Sequence, residues 1–105
     1  MKEITALELK AKFDSHEDFQ LIDVREPYEY EEANLGGELI PVSSVLNEIE
    51  KISRTKDVVI HCRSGNRSGV VILELEKRHG FTNLFNLKGG ILAYAREVDN
   101  SLPSH

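Results

Sequence analysis

Apolar residues fall into short runs separated by turn-forming clusters, and the spacing within each run distinguishes helix from strand. Leu7, Leu9 and Phe13, with Ala6 and Ala11, make a helical stripe to about Ser15, and Thr5-Ala6-Leu7-Glu8 ahead of it has the spacing of a capping box. Phe19 to Val24 is a short apolar run that ends in charge and meets Pro27, so it reads as a buried strand, then a turn and a short helix over Tyr28 to Glu32. Gly36-Gly37 breaks the chain. Leu39-Ile40 is a short strand stopped by Pro41, after which Ser43 or Ser44 can cap a helix using Val45, Leu46, Ile49 and Ile52.

The strongest strand pattern is Val58-Val59-Ile60-His61-Cys62, introduced by Asp57 and dominated by β-branched residues. From Ser68 to His79 the apolar set Val70, Val71, Ile72, Leu73 and Leu75 predicts a largely buried helix with Glu74 and Arg78 as an i,i+4 pair, stopped by Gly80. Leu84 to Leu87 is a last strand, Lys88-Gly89-Gly90 turns the chain, and Ile91 to Val98 returns as a helix. Strands alternate with helices and are too uniformly apolar to have a wet face. That predicts an α/β fold with a parallel sheet covered on both sides and right-handed crossovers.

Composition and charge narrow this further. The 105 residues suit one domain over 1–99 with a short tail at 100–105; the chain contains no linker, repeat or low-complexity tract. The start lacks the apolar segment of a signal peptide and no run is long enough to span a bilayer, so the expectation is a soluble cytoplasmic protein with no membrane partner. A net charge of −5, with Glu26, Glu29, Glu31, Glu32 and Glu38 crowded together, argues against nucleic acid. A single cysteine forms neither an internal disulfide nor a thiolate metal site, and His16, His79 and His105 show no metal-ligand spacing, so no metal or cofactor is implied.

The chemistry gathers in Cys62-Arg63-Ser64-Gly65-Asn66-Arg67. In open parallel sheets ligands collect beyond the carboxyl ends of strands, where Cys62 stands at the end of the strongest one. The loop then runs into a helix, so its backbone N–H groups and those of the first helical turn can curl around one anion, the nearest being the Cys62 thiolate. A free cysteine has a pKa of about 8.5; a helix N-terminus with neighbouring arginines lowers it and makes the thiolate a major form. Arg63 and Arg67 suggest a small anionic substrate. Gly65 fits a backbone turned inward, and Asn66 is the side chain next best suited to a left-handed conformation. Ser64 and Ser68 are placed to hydrogen-bond an anion or to cap the helix, with capping the reading for Ser68. His61 neighbours Cys62 along a strand and should point to the opposite face, as packing. Asp23 shares the strand-end edge with Cys62, while Arg25 with Glu26 forms an ion pair or fixes the turn before Pro27.

These residues carry a resemblance. Leu21-Ile22-Asp23-Val24-Arg25-Glu26 with the acidic, tyrosine-bearing stretch behind it, then Ile60 through Ser68, then Leu87-Lys88-Gly89-Gly90-Ile91-Leu92-Ala93-Tyr94 resemble, in order, a single-domain rhodanese, a thiosulfate sulfurtransferase. The resemblance implies a three-layer sandwich around a five-stranded parallel sheet with helices on both faces, its first strand a short edge at Glu3-Ile4-Thr5. It also implies that the Cys62 thiolate takes the outer sulfur of thiosulfate or a similar anionic donor as a persulfide, and that a thiophile removes it: cyanide in assays, a cellular thiol, a thioredoxin-like protein or a sulfur-relay protein. Arg63 and Arg67 then orient the donor, and the N–H groups of residues 63–67 stabilise the persulfide. The chain departs from the family at Ala33 to Glu38, where a glycine-histidine pair and proline-glycine-alanine are common, and at Tyr94, where tryptophan is frequent.

Two alternatives compete. A cysteine phosphatase of related fold has five residues between cysteine and arginine, whereas four separate Cys62 from Arg67. A non-catalytic rhodanese-like binding module often lacks the cysteine, which this chain keeps.

Overall fold

A computed structural model describes residues 1–102; residues 103–105 lie outside it, and with them the expectations for His105 and the end of the tail. The elements alternate as the apolar pattern predicts: β1 (Lys2–Ile4), α1 (Ala6–Asp14), β2 (Gln20–Asp23), α2 (Pro27–Glu32), β3 (Glu38–Leu39), α3 (Val42–Val45), a 3-10 turn (Ile49–Lys51), β4 (Val58–His61), α4 (Asn66–His79), β5 (Leu84–Leu87) and α5 (Gly90–Glu97). The five strands form one sheet in the order β1-β5-β4-β2-β3, and every pairing is parallel. The most apolar strand, β4, is central, so both of its faces are covered.

Period-two alternation sends successive strand residues to opposite layers. Val58, Ile60 and Cys62 join Ile22, Val71, Ile72 and Leu75 in the core under α3 and α4. Val59 and Leu21 pack on the other side with Leu9, Leu87 and Tyr94 from α1, β5 and α5. Tyr94 meets Phe13 edge-on at 6.4 Å between ring centres. Leu102 packs against this second cluster, so the chain stays on the body that far into the expected tail.

Three local expectations are corrected. The helix expected through Ile52 is broken: α3 begins directly after Pro41, and the i−3 bonds Asn47 N–H to Ser44 O and Glu48 N–H to Val45 O tighten and end it. Val42, Ser43, Ser44, Val45 and Asn47 are weak helix formers, and the following 3-10 turn brings Ile49 and Ile52 to the core instead. Ser43 and Ser44 therefore lie inside the short helix. The helix expected from Ser68 starts two residues earlier, at Asn66. Its face is also more exposed than predicted, with Val70 67% and Leu73 52% accessible, as is Leu7 of α1 at 60%. Two of the helix signals read from spacing hold: Thr5 and Glu8 form the capping box, and Glu74 pairs with Arg78 at 2.8 Å.

The turn between β5 and α5 presses on the end of β4. Ile91 N–H donates to Cys62 O (3.0 Å) and Leu92 N–H to Arg63 O (3.1 Å), so the first turn of α5 supplies its orphan donors to the carbonyls of the loop after β4. Gly90 allows this approach. Its φ is +62°, and a Cβ there would stand 2.3 Å from Arg63 O and 2.7 Å from Cys62 O. Gly90→Ala is therefore expected to cost more than the roughly 1–2 kcal/mol of a left-handed alanine alone, because the backbone of two segments must separate. Urea unfolding measures the loss; a cost under about 1 kcal/mol would contradict the contact.

Candidate active site

The site forms where β4 ends. Strand pairing sets Asp23 beside His61, one residue before Cys62, so β2 and β4 deliver their last residues to one edge. Cys62 follows the strand directly, only 1% exposed, with its side chain in the core under α4. The chain must then reverse into a helix, and Gly65 makes the corner as the N-cap of α4 with φ +106°. Among the described residues only His16 is a non-glycine with positive φ, so Asn66 is not left-handed; it is the exposed first residue of the helix. One glycine suffices for the reversal.

The corner aims donors at the sulfur. Gly65 N–H lies 3.1 Å from Sγ, and the Ser68 hydroxyl 3.4 Å. Burial pushes the thiol pKa up, but the Ser68 hydroxyl and the N–H groups of Ser68, Gly65 and Ser64 outweigh it and hold the pKa below the ordinary thiol value. Ser64 is exposed and acts through its backbone N–H.

Ser68 does not cap the helix. It is fully buried in the first turn, and its hydroxyl has a closer acceptor than Sγ in Asn86 Oδ1, at 2.6 Å. Since a hydroxyl has one proton, the backbone donors are the part of the cradle that does not depend on its rotation. The Asn86 amide meanwhile donates to Gly65 O at 3.0 Å, so one buried side chain on β5 ties both ends of the corner. Sequence reasoning passed over Asn86. The available signal was a polar residue inside the apolar run Leu84-Phe85-Asn86-Leu87.

Two arginines are held by carboxylates. Buried Arg25 does not pair with Glu26: its Nε and NH2 reach Asp23 at 2.8 to 3.1 Å, its backbone N–H bonds the same carboxylate, and NH2 also donates to Ala33 O. Asp23 and Arg25 thus fix the turn before Pro27, as one of the sequence readings had it. Arg67, the second residue of α4, makes a two-point pair with Glu29 of α2 at 2.8 and 3.0 Å. The Arg67 guanidinium, with help from the Glu26 N–H, holds Glu29 down to about 2 against burial. Glu29 is the other residue that sequence reasoning missed, read there only as part of an acidic crowd. Arg63 is exposed, and with Arg25, Glu29, Glu32, Ala33 and Ile91 it lines a cleft of ≈ 50 Å³ beside the loop.

His61 is fully buried, with Nδ1 3.4 Å from Cys62 O and Nε2 3.7 Å from Asp23 Oδ2. Burial keeps its pKa below the usual histidine range, so it is neutral near pH 7. Among the described residues no group of three His, Cys, Asp or Glu is arranged to hold a metal, and no helix is long and apolar enough to cross a membrane.

Comparison with known proteins agrees with this architecture. The Arabidopsis thaliana "Rhodanese-like/PpiC domain-containing protein 12, chloroplastic" is 35% identical over 113 residues, covering 100% of this chain, and the chain spans only 38% of that protein's length. A protein named "Sulfurtransferase" from Allochromatium vinosum is 34% identical over 97 residues, covering 91% of this chain and 90% of its own. The solved structure of a rhodanese-like domain protein from Staphylococcus aureus superposes with a TM-score of 0.81 at 29% identity, covering 93% of this chain and 95% of that one. The family model described as "Rhodanese-like domain" matches residues 5–97, and the chain belongs to that family.

Proposed function

We propose that this chain is a sulfurtransferase that carries sulfane sulfur as a persulfide on Cys62. The observation that carries this reading is the Cys62 sulfur at the N-terminus of α4, with Gly65 N–H at 3.1 Å and its pKa held below the ordinary thiol value. Near-complete burial restricts approach to the loop mouth. A donor that presents a single terminal sulfur atom suits that opening better than a tetrahedral phosphate ester.

In the first half-reaction the thiolate attacks the outer sulfur of thiosulfate or a related donor. A Cys62 S–S bond forms, the donor S–S bond breaks, and its electron pair leaves with sulfite. The negative charge moves to the terminal persulfide sulfur, where the N–H groups of residues 63–67 stabilise it. Arg63, exposed at the mouth, orients the anionic donor. In the second half-reaction a thiol or cyanide attacks the terminal sulfur and the electron pair returns to Cys62. With a thiol acceptor, its proton ends on the transferred sulfur. Acceptors are a cellular thiol or a sulfur-relay protein such as a thioredoxin-like dithiol. Asp23, Arg25, Ser68 and Asn86 position the loop; none needs to exchange a proton with substrate.

Intact-protein mass after incubation with thiosulfate and desalting tests the covalent step. The native chain is expected to gain the mass of one sulfur atom and lose it on adding cyanide, whereas Cys62→Ser gains nothing and turns over at least about a thousandfold more slowly. Absence of the adduct with thiosulfate and with other persulfide donors would contradict the proposal.

A further inference from the structure

We propose that Glu29 sets the charge selectivity of the donor site: by clamping Arg67 it withholds that guanidinium from the incoming anion and favours donors carrying one negative charge over two. The inference rests on the sulfur-transfer reading above and names the class of donor.

Arg67 stands in the first turn of the helix that cradles Cys62, where a free guanidinium would meet a dianion. Both of its terminal nitrogens are instead occupied by Glu29, at 2.8 and 3.0 Å. An exposed single-point ion pair would be weak. This one is bidentate, and its acid is fixed beforehand: Glu29 Oε1 also accepts from Glu26 N–H at 2.9 Å, and the Glu29 side chain is 14% exposed. With its pKa near 2, Glu29 stays ionised at any pH at which the thiolate is useful.

The cleft beside the pair repeats the balance. Its Arg25 is matched by Asp23 and its Glu29 by Arg67, while Arg63 and Glu32 put one group of each sign on its lining. Ala33 and Ile91 give it an apolar part. A dianion such as thiosulfate finds the Arg67 charge already matched by Glu29, so its second charge gains nothing from that guanidinium. A monoanion with a small apolar body, such as an alkyl thiosulfonate, needs less cationic charge and has surface to rest on. Its transfer balances in the same way, with the electron pair leaving on a sulfinate.

Steady-state transfer from thiosulfate and from methanethiosulfonate tests the assignment in the native chain and in Glu29→Gln. The glutamine retains an oxygen for Glu26 N–H but loses the charge and replaces the second acceptor of the Arg67 contact by an NH2 donor, so the clamp opens. The KM for thiosulfate is expected to fall about tenfold and that for methanethiosulfonate by less than about threefold, while kcat changes by a common factor. Adding Arg67→Gln is expected to abolish the gain. Equal changes in both KM values, or a higher KM for thiosulfate, would overturn the assignment. If Glu29→Gln does not fold, Glu29→Asp, one methylene short of the two-point contact, is expected to shift the ratio the same way. Protection of Cys62 from iodoacetamide by sulfate reads the same recognition without sulfur transfer, and should be about tenfold tighter in Glu29→Gln. A chain that transfers from neither donor contradicts the function proposed above, whereas equal sulfate protection in both chains overturns the role of Glu29.

Discussion

The proposed function puts a negative charge on a buried sulfur, and that is the constraint from which the rest of the arrangement follows. Cys62 is 1% exposed, and an ionised group taken out of water requires donors at close range. The loop meets that demand by sorting its backbone. The carbonyls of Cys62 and Arg63 turn away to the N–H groups of Ile91 and Leu92, which leaves the N–H groups of Ser64, Gly65 and Ser68 to face Sγ. Neither half works alone: without α5 the loop carbonyls are free to turn toward the anion, and without the left-handed Gly65 the chain does not close over it. The helix start at Asn66 rather than Ser68 follows from the same demand, because it brings the orphan donors of the first turn to the sulfur.

Around this centre the side chains are matched by charge and by shape. Asn86 ties Gly65 to Ser68, Asp23 holds Arg25, and Glu29 holds Arg67. The cradle is therefore built from backbone dipoles, with two of the nearby arginines neutralised by carboxylates. The anion binding proposed for such a site rests on geometry more than on net charge, which fits a molecule carrying −5 overall.

The parts legible in the sequence are those fixed by neighbours along the chain. β5 was read at Leu84–Leu87, and β4, α1 and α5 to within a residue or so, because apolar alternation, a capping box and paired glycines are local signals. Opposite pointing of His61 and Cys62 follows from strand geometry and holds: Cys62 joins the core under α4 while His61 approaches Asp23. What escaped reading depends on distant segments. Glu29 and Arg67 lie 38 residues apart and Ser68 and Asn86 lie 18 apart, and only the parallel sheet brings them together. Composition misled at Leu7 of α1 and most plainly in α4: Val70 and Leu73 look like core residues, yet the helical turn aims them outward while Val71, Ile72 and Leu75 take the buried face.

The central claim, that the loop holds Cys62 as a thiolate, is tested most directly by the rate of its alkylation by iodoacetamide as a function of pH, followed by intact mass. Because the folded pKa is lowered, the thiolate and the rate that follows it should persist on the acid side of an ordinary cysteine. A midpoint below that of a free cysteine thiol measured alongside is the predicted result. A midpoint at or above the value of a free thiol would show that burial outweighs the N–H cradle and would contradict the account.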